Sequence, residues 1–220
     1  MSAASGAITS STPSERRRRQ TREEILDAAL AVMTEQGVAA LNLTEVARRV
    51  GLRQPSLYQY FGSRAAVYDA LFERGMKAHH STVAVAIGSA GPGWAAARAA
   101  TTATLRFAAE QPVLAQFLFT RAVPGFTPSE QAYAPSLAVE ELLSAAVAAA
   151  VDRGELHPEA ASPRGVALLV AVTAGVGIQQ AANDPDGGAA GRFIPLLDPA
   201  LDMYASYFDP TRPATWTPWP

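Results

Sequence analysis

Cysteine is absent from the 220 residues, so neither a disulfide framework nor a thiolate zinc or iron-sulfur site is available. Nothing argues for secretion, and a cytoplasmic setting is expected. Histidine is almost as scarce, with three residues, and none stands in the spacing of a triad. There is also no G-x-S-x-G, no H-E-x-x-H and no glycine-rich phosphate loop after a strand, so the chain is expected not to be an enzyme. No cofactor is implied. His79 and His80 are adjacent, about 100° apart on a helix, which keeps them from sharing an ion; they are expected at a surface or interface, and no metal site is expected. Long apolar runs are missing too. The longest weakly polar run, residues 165–178, is shorter than the stretch of about 20 residues that a spanning helix needs, and the basic run near the start has no apolar segment behind it, as a signal peptide requires. No membrane association is expected.

Acidic and basic residues nearly balance, for a net charge of −2, but unevenly along the chain. Through Lys77 there are eleven basic against eight acidic residues; beyond it there are seven against twelve. The basic part holds the most informative stretch, residues 42–61, NLTEVARRVGLRQPSLYQYF. Asn42 and Glu45 form an N-x-x-E start in which both side chains can serve the exposed first amides of a helix. Leu43, Val46, Ala47 and Val50 then fall on one helical face, with Glu45, Arg48 and Arg49 outward. Gly51 is placed where a helix ends in the left-handed region. After a turn of Gly51, Leu52 and Arg53, a second helix can begin at Gln54 with Pro55 in its first turn. Leu57 and Phe61 point inward with Leu52, leaving Gln54, Pro55, Ser56, Tyr58, Gln59 and Tyr60 outward on a very short helix with no simple solubilising charge. Glutamine can pair bidentately with adenine, proline and small side chains can pack on the thymine methyl, and hydroxyls and amides can hold phosphates. Helix, three-residue turn, helix is the geometry that lays a recognition helix in the major groove. An ordinary helical hairpin in a bundle is the bland alternative.

The run from Thr21 to Leu71, above all LTEVARRVGLRQPSLYQYFGSRAAVYDAL, resembles the DNA-binding domain of the TetR (tetracycline repressor) family. The match includes Leu57, Tyr58 and Phe61, the Ser63-Arg64 pair and the glycine turn. The resemblance implies that Gln54, Pro55 and Ser56 meet bases while Tyr58, Gln59 and Arg64 hold the backbone; Arg48, Arg53 and Tyr60 complete the candidate DNA-binding set. Two departures stand out. Arg53 occupies a position where the family often has a capping serine or threonine, and Gly62 one where proline is common.

Residues 1–14 are rich in Ser, Ala, Thr and Gly and are expected to be disordered. Arginines 16–19 follow, either an arm that tracks phosphates or a solvated charge run. Thr21 and Glu24 form a T-x-x-E box opening a helix that ends at Gly37, and Ser63 caps a helix running into the eighties. Residues 88–93 form a loop. A helix from Trp94 to about Glu110, a short apolar one over residues 113–120 and a break at residues 124–128 come next. Trp94, Phe107, Phe117, Phe126 and Tyr133 are candidate lining for an apolar small-molecule pocket, although plain core is the more common role of any single aromatic.

Two long helices, residues 136–153 and 163–182, are apolar or small nearly all round, which points to burial on more than one side. Two such helices from each of two chains would form a four-helix homodimer interface, so Ala146→Glu is expected to give monomers. Residues 183–191 read as a flexible loop, residues 199–208 as a last helix, and the proline-rich tail is expected to lay its tryptophans on the domain or on the partner chain. The fold class expected is therefore all-α: a disordered basic arm over residues 1–19, a three-helix helix-turn-helix DNA-binding domain over 20–66, and a helical ligand-binding and dimerisation domain over 67–220. The function implied is a ligand-responsive regulator of double-stranded operator DNA, a repressor released by a small apolar or amphipathic effector. The other reading is a ligand- or partner-binding protein of the same fold without operator specificity.

Overall fold

Thr12, Pro13 and Glu15 start the first helix nine residues before the Thr21 box. In the computed structural model, which describes residues 12–213, 215, 216 and 218, α1 spans Pro13–Gln36. Thr12 N–H donates to the Glu15 carboxylate at 2.7 Å and Glu15 N–H to Thr12 Oγ1 at 3.2 Å, a reciprocal capping box with proline in the first turn. Arginines 16–19 are therefore helical, not a disordered arm. Of the expected disorder at residues 1–14, residues 1–11 lie outside the described part and Thr12, Pro13 and Ser14 form the cap and first turn.

The chain is all-α among the described residues and divides into two compact units, Met1–Leu71 and Phe72–Pro220. In the first, α1 is followed by a 3-10 turn, Val38–Ala40, then α2 (Leu43–Arg49), α3 (Gln54–Leu57) and the start of α4 (Arg64–Ser89). Its core collects the inward faces: Ile25, Leu26, Ala29, Val32 and Met33 of α1, Leu43, Val46 and Ala47 of α2, Leu57, Phe61, Val67 and Tyr68. The Tyr68 hydroxyl is satisfied by donating to Val38 O at 2.9 Å.

The second unit contains the rest of α4, α5 (Trp94–Glu110), α6 (Pro112–Phe119), α7 (Glu130–Asp152), α8 (Pro163–Asn183) and α9 (Leu197–Tyr207). α5 has the expected ends, while α4 runs two residues into the expected loop. α7 starts six residues early because Ser129 caps it, accepting from Ala132 N–H at 3.2 Å; Pro135 sits inside the helix. A proline in the second turn loses one ladder bond without ending the helix. Residues 183–191 are not a free loop. They form a 3-10 segment, Pro185–Ala190, tied by Gln180 to the Asp184 carbonyl and by Phe193 N–H to Gln180 Oε1 at 3.1 Å. Trp216 packs on His157, Tyr207 and Phe208, as expected of the tail; Trp219 lies outside the described residues.

Helices α7 and α8 are each long and apolar enough to cross a membrane by length and composition, with mean hydropathy 1.5 and 1.6, which the shorter run counted in the sequence did not register. Their apolar character serves the core of this unit in part: Leu143, Ala146, Val147 and Ala150 of α7 and Val166 and Leu169 of α8 are buried in one cluster with α5 and α9. The remainder is a bare face on α8, with Val170 48% and Ile178 60% exposed and the exposed alanines 167, 171 and 174 and Gly175 between and beside them. Ala146, in contrast, is only 7% exposed, so a charge there disrupts the chain's own core before it can disturb a partner.

Candidate nucleic-acid interface

The helix pair is built as its capping residues direct. The Asn42 side-chain oxygen accepts from Thr44 N–H at 2.9 Å and Glu45 N–H at 3.4 Å, starting α2, and Gly51 turns the chain with φ +68°, a conformation in which a side chain would be strained. α3 has Pro55 in its first turn and no side-chain cap, the consequence of arginine at position 53. The chain then continues through a turn in which Tyr60 and Phe61 N–H donate to Leu57 O at 2.9 and 3.1 Å.

Leu57 and Phe61 are buried, and their inward pointing fixes what faces out. Arg53, Gln54, Pro55, Tyr58 and Gln59 are exposed, with Tyr58 at 45%; Ser56 and Tyr60 are half-buried. Arg64 is exposed in the first turn of α4, whose start is capped by Ser63 Oγ accepting from Ala66 N–H at 3.1 Å. One unit thus presents six of the nine candidate residues on α3 and its flanking turn, with Arg53 and Arg64 at either end. Amide, hydroxyl, ring and guanidinium groups converge on a single short helix, a set suited to base edges and phosphates.

Glu45 does not complete the expected capping box. Its carboxylate is held by Arg48 through two contacts of 2.8 Å and by Arg49 at 2.8 Å, and these partners, Arg48 first, lower its pKa to about 2. Arg49 also bridges to Glu35. Arg48 thus starts out paired, but a solvent-exposed pair of this kind is weak, and a phosphate can replace the carboxylate.

Two contacts escaped the sequence reading. Arg18 Nη2 donates to Gln59 O at 2.9 Å and Arg22 Nη1 donates to Tyr60 O, while the Arg22 guanidinium lies 4.1 Å from the Phe61 ring centroid and that of Arg18 5.5 Å from that of Tyr60. Only the four-residue spacing of Arg18 and Arg22 hinted that they share a face.

In the second unit the expected pocket aromatics separate into groups. Phe117 meets Phe72 and Phe126, and Tyr133 stacks on Phe72. Phe107 packs with Phe119 and His79. Trp94 stands with neither group and stacks on Tyr204 in the core. Gly75 makes room in α4: a Cβ there would stand 3.0 Å from Leu114 and Leu118 methyls.

His79 is not at the surface; it is 3% exposed. Thr104 donates its one hydroxyl hydrogen to Ala100 O at 3.0 Å, so its oxygen accepts from His79 Nε2–H, also at 3.0 Å. Nδ1 is then a bare acceptor, with no donor among the described residues. Burial first, and His80 second, lower the His79 pKa from 6.5 to about 4. The folded chain keeps the ring neutral where the unfolded chain protonates it. This stabilisation is complete above about pH 6.5 and is lost as pH falls toward 4, by up to about 1.4 kcal/mol per pH unit. Denaturant unfolding followed over that window should show wild type losing stability with a steeper acid slope than His79→Phe; parallel slopes would contradict the assignment.

Residues 25–71 match the family described as bacterial regulatory proteins, tetR family. The tetracycline repressor protein class D of Escherichia coli is 33% identical over 76 residues, covering 34% of each chain; the chain thus spans about a third of the length of that relative. Among solved structures, a protein with unknown function from Rhodococcus sp. RHA1 superposes with a TM-score of 0.73 at 22% identity, covering 93% of this chain and 100% of that one. The regulator FadR of Bacillus subtilis, solved in complex with stearoyl-CoA, gives 0.70 at 14% identity over 84% and 97%. At such identities these structures establish the fold, while the sequence match covers the helix-turn-helix. Residues 25–71 thus match the DNA-binding domain of the tetR family of bacterial regulatory proteins, in a chain that shares the fold of these solved structures.

Proposed function

We propose that the chain is a ligand-responsive transcriptional repressor that binds a pseudo-palindromic operator as a homodimer in the cytoplasm. The observation that carries this is the exposed set on α3, held outward by Leu57 and Phe61. Gln54, Pro55 and Ser56 read bases; Arg48, Arg53, Tyr58, Gln59, Tyr60 and Arg64 hold the phosphate backbone. Dimerisation uses the bare α8 face, with α7 beside it, and sets two recognition helices about 34 to 36 Å apart, one turn of duplex. The domain limits that go with this reading are 20–66 for DNA and 67–220 for ligand and dimer.

The effector is a small amphipathic molecule. Its apolar part suits the aromatic groups around Phe107, Phe117, Phe126 and Tyr133, and His79 Nδ1 offers an acceptor for one hydroxyl or amide hydrogen. The acyl-CoA bound by the FadR neighbour is an amphipathic ligand in a protein of the same fold. Release follows if the effector binds two conformers unequally; a tenfold loss of operator affinity needs a difference of about 1.4 kcal/mol. Operator DNA must then weaken effector binding by the same factor.

Selection from a random duplex pool with the purified full chain tests the reading. Recovery of an inverted repeat whose halves are about one helical turn apart is expected. Salt-sensitive retention of duplex with no shared sequence would instead favour a protein of this fold without operator specificity.

A further inference from the structure

We propose that Arg18 and Arg22 are positioning residues for the recognition element, clamping its carbonyl end rather than serving as phosphate ligands. The proposal rests on the DNA-binding reading for its consequence, but not for its geometry. A four-residue helix cannot hold its own shape, because closing one turn fixes several residues for a single hydrogen bond. α3 is anchored from inside by Leu57 and Phe61. Its last carbonyls, of Ser56 and Leu57, accept from Gln59, Tyr60 and Phe61 N–H of the turn that follows, and the carbonyls of that turn, Gln59 and Tyr60, lie past the helix ladder.

Arg18 and Arg22 supply their partners. Four residues apart, they share one face of α1, and they donate to the consecutive carbonyls of Gln59 and Tyr60. Each guanidinium also lies near an aromatic ring of the same turn, Tyr60 for Arg18 and Phe61 for Arg22. Arginine suits this double duty because its planar donors can meet a carbonyl while its face rests on a ring; a lysine ammonium offers only a point charge.

The clamp also gives a purpose to the early start of α1. Arg18 lies in the helical segment that exists only because Thr12 and Glu15 cap the chain at Pro13. Had α1 begun at Thr21, Arg18 would have no fixed position from which to reach Gln59. The line of cause runs from the capping box, through the first turns of α1, to the orientation of Tyr58, Gln59 and Tyr60.

The test compares full-length Arg18→Gln, Arg22→Gln and Arg22→Lys with wild type on two duplexes, one recovered by wild-type selection and one of shuffled sequence, over a range of salt. Amide hydrogen exchange at Tyr60 and Phe61 is measured without DNA. Each variant is expected to lose roughly tenfold of its preference for the recovered duplex, the scale of one misplaced base contact, with an unchanged salt slope on the shuffled one and faster exchange at both amides. The proposal is overturned if Arg22→Lys matches wild type while Arg22→Gln weakens both duplexes alike and lowers the salt slope by about 0.9, the mark of one lost phosphate contact. Should Arg22→Gln fail to fold, Arg18→Gln, altered at an exposed side chain, decides by the same comparison. If wild type prefers no duplex, the operator reading fails by itself, and the exchange rates still judge the clamp: unchanged exchange in Arg18→Gln and Arg22→Lys would refute it.

Discussion

Val170→Glu is expected to convert the protein to a monomer and to lower its affinity for the selected duplex on the order of a thousandfold, from the range of specific complexes toward that of non-specific ones. Val170 stands 48% exposed on the α8 face that also carries Ile178, with small residues at the intervening helical positions. Small side chains let a second helix approach closely, and a two-fold interface would place two copies of this face together. A carboxylate at its centre would then be buried opposite its own symmetry mate, two like charges without a partner. In the isolated chain the same carboxylate points to water, so thermal stability at low protein concentration should change by no more than about 0.5 kcal/mol. Sedimentation gives the mass and gel retardation the affinity. An unchanged dimer would remove α8 from the interface. Ala146→Glu cannot replace this experiment, since Ala146 is buried in its own chain.

The helix-turn-helix was legible in the sequence almost residue by residue because its signals are local. Asn42 caps where it stands, Gly51 turns where glycine is needed, and the Leu57 and Phe61 spacing divides inside from outside. Misreadings came where two local signals competed or where a distant residue decided. Thr12 and Thr21 both open a T-x-x-E box, and the earlier one prevails because Pro13 and the helix-forming arginines extend the same helix. Glu45 had two uses, a cap or a partner for Arg48 and Arg49, and the arginines took it. The expected start of α7 at residue 136 lies just past Pro135, yet the Ser129 cap carries the helix across that proline.

The aromatic groups of the second unit were less legible for the same reason. Nothing beside His79 in the sequence says that Thr104, twenty-five residues later, will meet its Nε2, or that Phe107 and Phe119 will enclose the ring. Among the five aromatics singled out, only the structure separates Trp94, stacked on Tyr204, from the groups around Phe117 and Phe107. The contacts of Arg18 and Arg22 with Gln59 and Tyr60 span forty-one and thirty-eight residues, far beyond any local pattern.

Gln54 and Tyr58 stand for the two kinds of DNA contact proposed. Gln54 is exposed in the first turn of α3 and Tyr58 at its C-terminal end. Gln54→Ala is expected to cost about 1–3 kcal/mol of discrimination between the selected duplex and its shuffled counterpart, the value of a bidentate base contact, while leaving affinity for the shuffled duplex as it was. On the proposed assignment Tyr58 holds the DNA backbone, a contact that carries no sequence information, so Tyr58→Ala is expected to weaken both duplexes by the same factor. Neither side chain belongs to the buried core, so both variants should fold as wild type does. The two affinities, measured for both variants at one salt concentration, put the recognition helix to the most direct test. A preference lost in Gln54→Ala and kept in Tyr58→Ala is the expected result; two variants that bind both duplexes as wild type does would show that α3 does not read DNA.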